Sequence, residues 1–210
     1  MGRRKYEQVA RAETAQQTRQ RILDAVGQRL REAPTEQLSM EKVARLANVS
    51  RATIYSDFGS RGGLFDAFVV DLWERTGLDQ LSAAADSDDA REHLRAAIAA
   101  ASRMKGRELA VYRVLHSMDR LDPESAGGAV RHMEEDRRAG VAALTAHLAE
   151  AGALCDGVST DRAFQTLWAL TAFENLDHLV TGCNLPIEEA IDVLVATAER
   201  AICKPEPRTC

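Results

Sequence analysis

Apolar positions along this chain recur at intervals of three and four residues, and alternation never persists, so the pattern predicts helices throughout and no sheet. Between Thr14 and Arg31, the side chains of Ile22, Leu23, Val26 and Leu30 fall on one face, and Pro34 ends the segment. Ser39 stands at the N-cap position of a short helix carrying Met40, Val43 and Ala44. Ala47, Asn48 and Val49 interrupt that helix, and Ser50 caps a third that ends near Phe58. A fourth starts at Ser60 and sets Leu64, Phe65, Phe68, Val69 and Leu72 along its inner side.

Beyond Gly77 the pattern predicts longer helices over Asp88–Lys105, Arg107–Ser117, Glu124–Ala151, Thr160–Thr181 and Pro186–Cys203, separated by Asp122-Pro123 and by Gly182 to Pro186. The last two are apolar over wide arcs. Phe164, Leu167, Trp168, Leu170, Phe173, Leu176, Leu179 and Val180 occupy one, and Ile187, Ile191, Val193, Leu194, Val195, Ala198 and Ile202 the other. A helix apolar around much of its circumference has to be buried on more than one side. The expected fold class is therefore all-α. An N-terminal three-helix head with a basic arm (residues 1–62) would precede a C-terminal helical bundle (residues 63–210).

Composition narrows the function. No apolar run reaches the roughly 18 residues that span a bilayer. The basic start, Met1 to Lys5, has no apolar segment behind it and does not read as a secretory signal. Cys155, Cys183, Cys203 and Cys210 form no C-x-x-C pair, and with no export signal they suit a reducing, cytoplasmic setting. The net charge of −5 hides an asymmetry: residues 1–62 carry 12 Lys/Arg against 7 Asp/Glu, a basic head on an acidic body. Attraction of one end to phosphate requires such a distribution.

The informative stretch is Ser39 to Phe58, SMEKVARLANVSRATIYSDF. Two short helices can cross steeply only where their backbones come close, and Ala44 supplies the small residue. Asn48, four positions on, tolerates the positive φ that the turn needs. Val49 and Ile54 then lock the second helix onto the first. This is helix-turn-helix spacing, whose second helix enters the major groove by its N-terminal end.

From Thr18 to Phe68 the sequence resembles the TetR family of regulators. Arg21-Ile22-Leu23-Asp24-Ala25 is similar to that family's first-helix core, and Val43-Ala44-Arg45-Leu46-Ala47-Asn48-Val49-Ser50 to its turn. Thr53-Ile54-Tyr55-Ser56-Asp57-Phe58 resembles its recognition helix, and Ser60-Arg61-Gly62-Gly63-Leu64 the start of its fourth helix. Five positions depart from the pattern. Asp57 stands where a phosphate-compatible residue is usual, Arg61 replaces lysine, Gly62-Gly63 replace helix formers, and Asn48 replaces glycine. A carboxylate at 57 would weaken DNA binding unless it turns outward or caps the next helix.

Position along the helices assigns roles. Arg51, Ala52 and Thr53 lie at the start of the recognition helix and are the candidates for base edges, an arginine there suiting guanine O6 and N7 and a methyl suiting thymine. Ser39, Ser50, Tyr55 and Arg61 are placed for phosphate. Ser39 and Ser50 serve equally as plain caps, and Tyr55 equally as a core residue. Arg3, Arg4 and Lys5 would form a disordered arm along the DNA backbone or minor groove.

The resemblance further implies that the last two helices pair across a twofold axis. The resulting homodimer would hold two heads about 34–36 Å apart on a palindromic duplex operator. It implies also that the middle helices enclose a small-molecule effector that releases DNA. Met104, Tyr112, Arg113, His116, Trp168, Thr171, Asn175 and His178 are the candidate lining, with Arg113 and His116 favouring an acidic or polar ligand group if they face inward. No cofactor is expected. The five histidines lack metal-ligand spacing, and no G-x-S-x-G, P-loop or dinucleotide fingerprint points to an enzyme. The rival reading is a small-molecule or protein-binding helical module with impaired DNA binding.

Overall fold

The computed structural model describes residues 2–34, 36, 38–121 and 123–205, with side chains described outside 2–12 and 123–127. Among the described residues there are eleven α-helices and one π-helical turn, and no strand beyond a single antiparallel bridge between Leu154 and Cys203. Contacts divide the chain into two compact units. One comprises Met1–Leu72 and Arg113–Val130, the other Trp73–Tyr112 and Arg131–Cys210.

In the first unit, α1 spans Gly2–Glu32, α2 Met40–Leu46, α3 Arg51–Phe58, and α4 begins at Arg61 and continues to Thr76. Ile22, Val26, Val43, Ile54, Leu64, Phe65, Phe68 and Leu72 are fully buried, which confirms the faces assigned from spacing. α1 starts well before Thr14, so the backbone expected to be a disordered arm is helical. The stretch from Glu7 to Gln17 lacks an apolar stripe but is rich in Ala, Glu, Gln and Arg, whose helix propensity suffices without it. The side chains of Arg3, Arg4 and Lys5 lie outside the described residues.

The second unit holds α5 (Leu78–Ala85), α6 (Ala90–Gly106), most of α8 (Pro123–Glu150), α9 (Thr160–Leu170), α10 (Phe173–Asp177), the π turn His178–Gly182 and α11 (Ile187–Ile202). Helix α7 (Leu109–Leu121) contributes its first residues here. Leu94, Ile98, Leu144, Leu148, Leu167, Leu176, Leu194 and Ile202 form one buried cluster.

Two expectations fail in this unit. The first concerns the residues between Gly77 and Asp88, where the sequence reading places no helix: α5 occupies them, entered through a left-handed φ of 120° at Gly77. The second is a continuous helix over 160–181, which breaks after Leu170. Asn175 Nδ2 donates to the carbonyls of Ala169 (2.7 Å) and Leu170 (3.3 Å), Arg137 Nη1 to that of Trp168 (2.9 Å), and Lys105 Nζ to that of Thr171 (3.2 Å). A helix end leaves its last carbonyls without partners. Here side chains of α6, α8 and α10 supply them, so the break is stable inside an otherwise apolar sequence.

Candidate nucleic-acid interface

The turn between α2 and α3 is built by its capping residues. Ser39, extended at φ −93°, accepts from Lys42 N at 3.5 Å, and Ser50 accepts from Thr53 N at 3.0 Å. Asn48 takes the left-handed conformation at φ 53°, and Val49 N returns to the Ala44 carbonyl at 3.0 Å. Ala44 and Ala47 are buried at the crossing.

Helix α3 presents one buried residue, Ile54, and an exposed face of Arg51, Ala52, Tyr55, Ser56 and Asp57. Arg51 and Ala52, the base-contact candidates, are thus exposed in the first turn of the helix. Thr53 is half-buried, with its hydroxyl 2.9 Å from Ser50 Oγ. Tyr55 is 41% exposed, so it does not belong to the core. Ser56 shares the open face one turn beyond Ala52. Periodicity alone would have brought it forward.

The end of α3 is held by Arg19 of α1, whose guanidinium lies 4.3 Å from the Phe58 ring centroid and donates to the Asp57 carbonyl at 3.3 Å. No local sequence signal links positions 19 and 57. The Asp57 carboxylate is exposed, and the first turn of α4 is capped by Ser60, whose Oγ accepts from Gly63 N at 2.9 Å. Of the two alternatives to facing phosphate, capping the next helix is therefore not the role of Asp57.

Gly63 has a requirement that the departure from helix formers concealed. A Cβ there would lie 2.2 Å from the Phe58 carbonyl oxygen, so α4 can start this close to the end of α3 only with glycine. Next to it, Arg61 reaches over Phe65 at 5.9 Å, and its Nε and Nη2 are enclosed with no hydrogen-bond partner. Around the base of α2, Glu36 joins Arg29 (2.8 Å) and Lys42 (2.5 Å), and those two cations hold its carboxyl below the usual range.

Residues 22–68, which contain this assembly, match the family described as bacterial regulatory proteins, tetR family. The helix-turn-helix head is similar to that of the TetR family. The HTH-type transcriptional regulator AlkX of Mycobacterium tuberculosis is 36% identical over 70 residues, a stretch that spans only a third of either chain. Across nearly the whole length the likeness is one of fold. NalD of Pseudomonas aeruginosa, the secondary repressor of the MexAB-OprM multidrug efflux pump, superposes with a TM-score of 0.68 at 20% identity, covering 92% of this chain and 100% of NalD. A TetR transcription regulator of Haloarcula marismortui does so at 0.69 and 16% identity, covering 88% and 98%.

The residues expected to line an effector site separate into several environments. Met104 and Tyr112 are buried in the second unit, with Tyr112 stacked on Phe173 at 6.0 Å between centroids. Trp168 is half-buried, 6.0 Å from the Phe164 ring and covered by the Arg137 guanidinium at 3.4 Å. Thr171 donates to the Leu167 carbonyl at 2.7 Å, and with Asn175 it serves the end of α9. Asn175 and His178 are exposed. Arg113, also exposed, and the half-buried His116 fall in the first unit, so Arg113 does not face inward as an acidic ligand would require.

Sequence reasoning missed the charged group that surrounds Trp168. Arg137 pairs with Glu134 at 2.7 Å and accompanies Lys105, whose ammonium burial and the nearby Arg137 charge push down to about 8. No helix among the described residues is long and apolar enough to cross a membrane.

Proposed function

We propose that this chain is a dimeric, ligand-responsive transcription regulator, a repressor that grips a palindromic operator with two copies of its head. The observation that carries the reading is the open face of α3, with Arg51 and Ala52 at its N-terminal end, beside an Arg61 guanidinium that has two enclosed nitrogens unpartnered. A cation whose nitrogens lack partners is suited to a phosphate oxygen. Arg51, Ala52 and Thr53 would read bases, while Ser39, Ser50, Tyr55 and Arg61 fix the register on the backbone.

Dimerisation is supported by the apolar surface of the last helices: Val193 is 42% exposed, and Phe164, Trp168 and Leu170 are only partly covered within one chain. Pairing these faces between two copies would set the heads one DNA turn apart. The effector would enter the second unit near Met104, Tyr112 and Trp168. Helix α4 runs from the first unit into the second and offers the mechanical link. A ligand that favours a shape with misplaced heads lowers operator affinity, and DNA weakens ligand binding by the same factor. Repression is favoured by the description of NalD as a repressor.

The test is fluorescence anisotropy with duplexes from the DNA flanking the coding region. Specific binding should fall steeply with salt, and R51A should lower the specific-to-nonspecific ratio while leaving the fold intact. Equal affinity for all duplexes, unaffected by R51A, would establish the rival reading of a binding module without a working head.

A further inference from the structure

Helix α3 has little to hold it in place, since only Ile54 of its eight residues is buried. The Ser50 cap fixes the first turn, but it is local to the chain and moves with the helix. One buried side chain acts as a pivot and leaves a short helix able to rock. A second fixed point exists at the far end. Gly59 N and Ser60 N answer the carbonyls of Tyr55 and Phe58 at 2.9 and 2.8 Å, while the Asp57 carbonyl is completed from α1. Arg19 Nη1 donates to it at 3.3 Å, and the centre of the same guanidinium lies 4.3 Å from the centroid of the Phe58 ring.

The chemistry of this grip is specific to arginine. A cation is favoured at the C-terminal end of a helix, where the last carbonyls lack partners. A planar guanidinium can lie over a ring and donate in its own plane at once, which an ammonium cannot. Arg19 is exposed, so the contact adds little to global stability. What it fixes is an angle. At about 1.5 Å of rise per residue, Arg51 starts about 4.5 Å from Ile54, and its guanidinium reaches several ångströms further. A tilt of ~10° about Ile54 carries that guanidinium by roughly 1–2 Å, more than the ~0.5 Å that a positioned contact tolerates.

We propose that Arg19 is a positioning residue for operator recognition: its grip on Asp57 and Phe58 sets the angle at which α3 presents Arg51 to the bases, while Arg19 itself touches no DNA. The inference rests on the reading of α3 as the base-reading helix and deepens it. Loss of the grip should lower sequence discrimination, which bidentate base contacts supply. It should spare the phosphate contacts, which dominate affinity for any duplex.

The full-length protein, R19K and R19M are compared by fluorescence anisotropy over a range of salt. The probes are the tightest-bound duplex from the DNA flanking the coding region and a scrambled duplex of equal length. R19K keeps the charge without the planar fork, and R19M keeps only the stem. Both should lose about tenfold in the operator-to-scrambled affinity ratio, the lower end for one bidentate base contact. R19K should keep native affinity for the scrambled duplex and a native salt slope. Adding R51A to R19K should lower the ratio no further than R51A alone, because the two residues act as one unit. A native ratio in R19K overturns the inference, and R19K alone decides if R19M does not fold. Equal weakening on both duplexes in R19M, with a salt slope shallower by about one, overturns it in favour of a direct phosphate contact. Losses from R19K and R51A that simply add overturn it too. Native protein that binds both duplexes equally removes the base-reading role of α3 and the inference with it, whereas discrimination retained by both native protein and R19K removes the inference alone.

Discussion

Ser50 can be asked directly whether it only caps α3 or also faces phosphate. Its Oγ accepts from Thr53 N at 3.0 Å and lies 2.9 Å from Thr53 Oγ1, and α3 buries Ile54 alone among its eight residues. With so little burial, the cap is a large share of what fixes the helix. S50A should therefore cost about 1 kcal/mol of stability. S50D keeps an equally good cap and places a negative charge at a helix N-terminus, so its stability should match or exceed the native value by up to about 1 kcal/mol.

DNA reverses the ranking. A carboxylate about 4 Å from a phosphate meets between about 1 and 4 kcal/mol of repulsion, depending on local screening. S50D should then bind operator at least about fivefold more weakly despite its sound fold. The assay pairs urea unfolding with fluorescence anisotropy at several salt concentrations. Native operator affinity in S50D would refute a phosphate-facing Ser50 and leave the cap as its whole role. Equal destabilisation of S50A and S50D would refute the cap.

G63A should destabilise by at least the upper end of the about 1–3 kcal/mol typical of overpacking, because the atom that its Cβ meets is a backbone carbonyl unable to swing away. G62A, whose nearest neighbour is Ser60 Oγ at 3.7 Å, should gain up to about 1 kcal/mol, and similar urea midpoints for the two would contradict that close approach. D57H should leave stability unchanged, since Ser60 rather than Asp57 caps α4, and should tighten operator binding roughly fivefold on the scale of one charge removed in water; an unaltered affinity would mean that the exposed carboxylate points away from the DNA. For Lys105 the folded pKa of about 8 lies below the ordinary lysine value of 10.5, so the unfolded chain binds more protons between these limits and stability should rise with pH across that window. Melting temperatures of K105M should lack the rise; parallel curves for the two proteins would show that the ammonium is not held down.

The head was legible because its boundaries are decided by neighbours in sequence. Ser39, Asn48 and Ser50 each act within five positions, through two caps and one left-handed turn, and Ile54 follows from helical period. The break after Leu170 was not legible for the opposite reason. Besides the nearby Asn175, the partners of its carbonyls include Lys105 and Arg137, which are distant in sequence and brought up by tertiary packing. Gly63 falls between these cases. Local propensity marks it as a weakness, while the Phe58 carbonyl, five residues back, makes it a requirement. Arg19 resembles any other exposed helix residue until α1 is laid against the end of α3.

What sorts the polar side chains is whether the fold itself satisfies them. Ser39, Ser50, Ser60, Thr171 and Asn175 all close bonds that helix ends would otherwise leave open, so their chemistry is already committed. That commitment argues against Thr171 and Asn175 as ligand handles, although their residue types invited the idea. Arg61 stands on the other side, with Nε and Nη2 enclosed and no hydrogen-bond partner among the described residues. Arg29 is intermediate, its Nε enclosed while Nη2 holds Glu36. An unanswered buried donor costs stability in the isolated protein and repays it only on meeting an acceptor from outside.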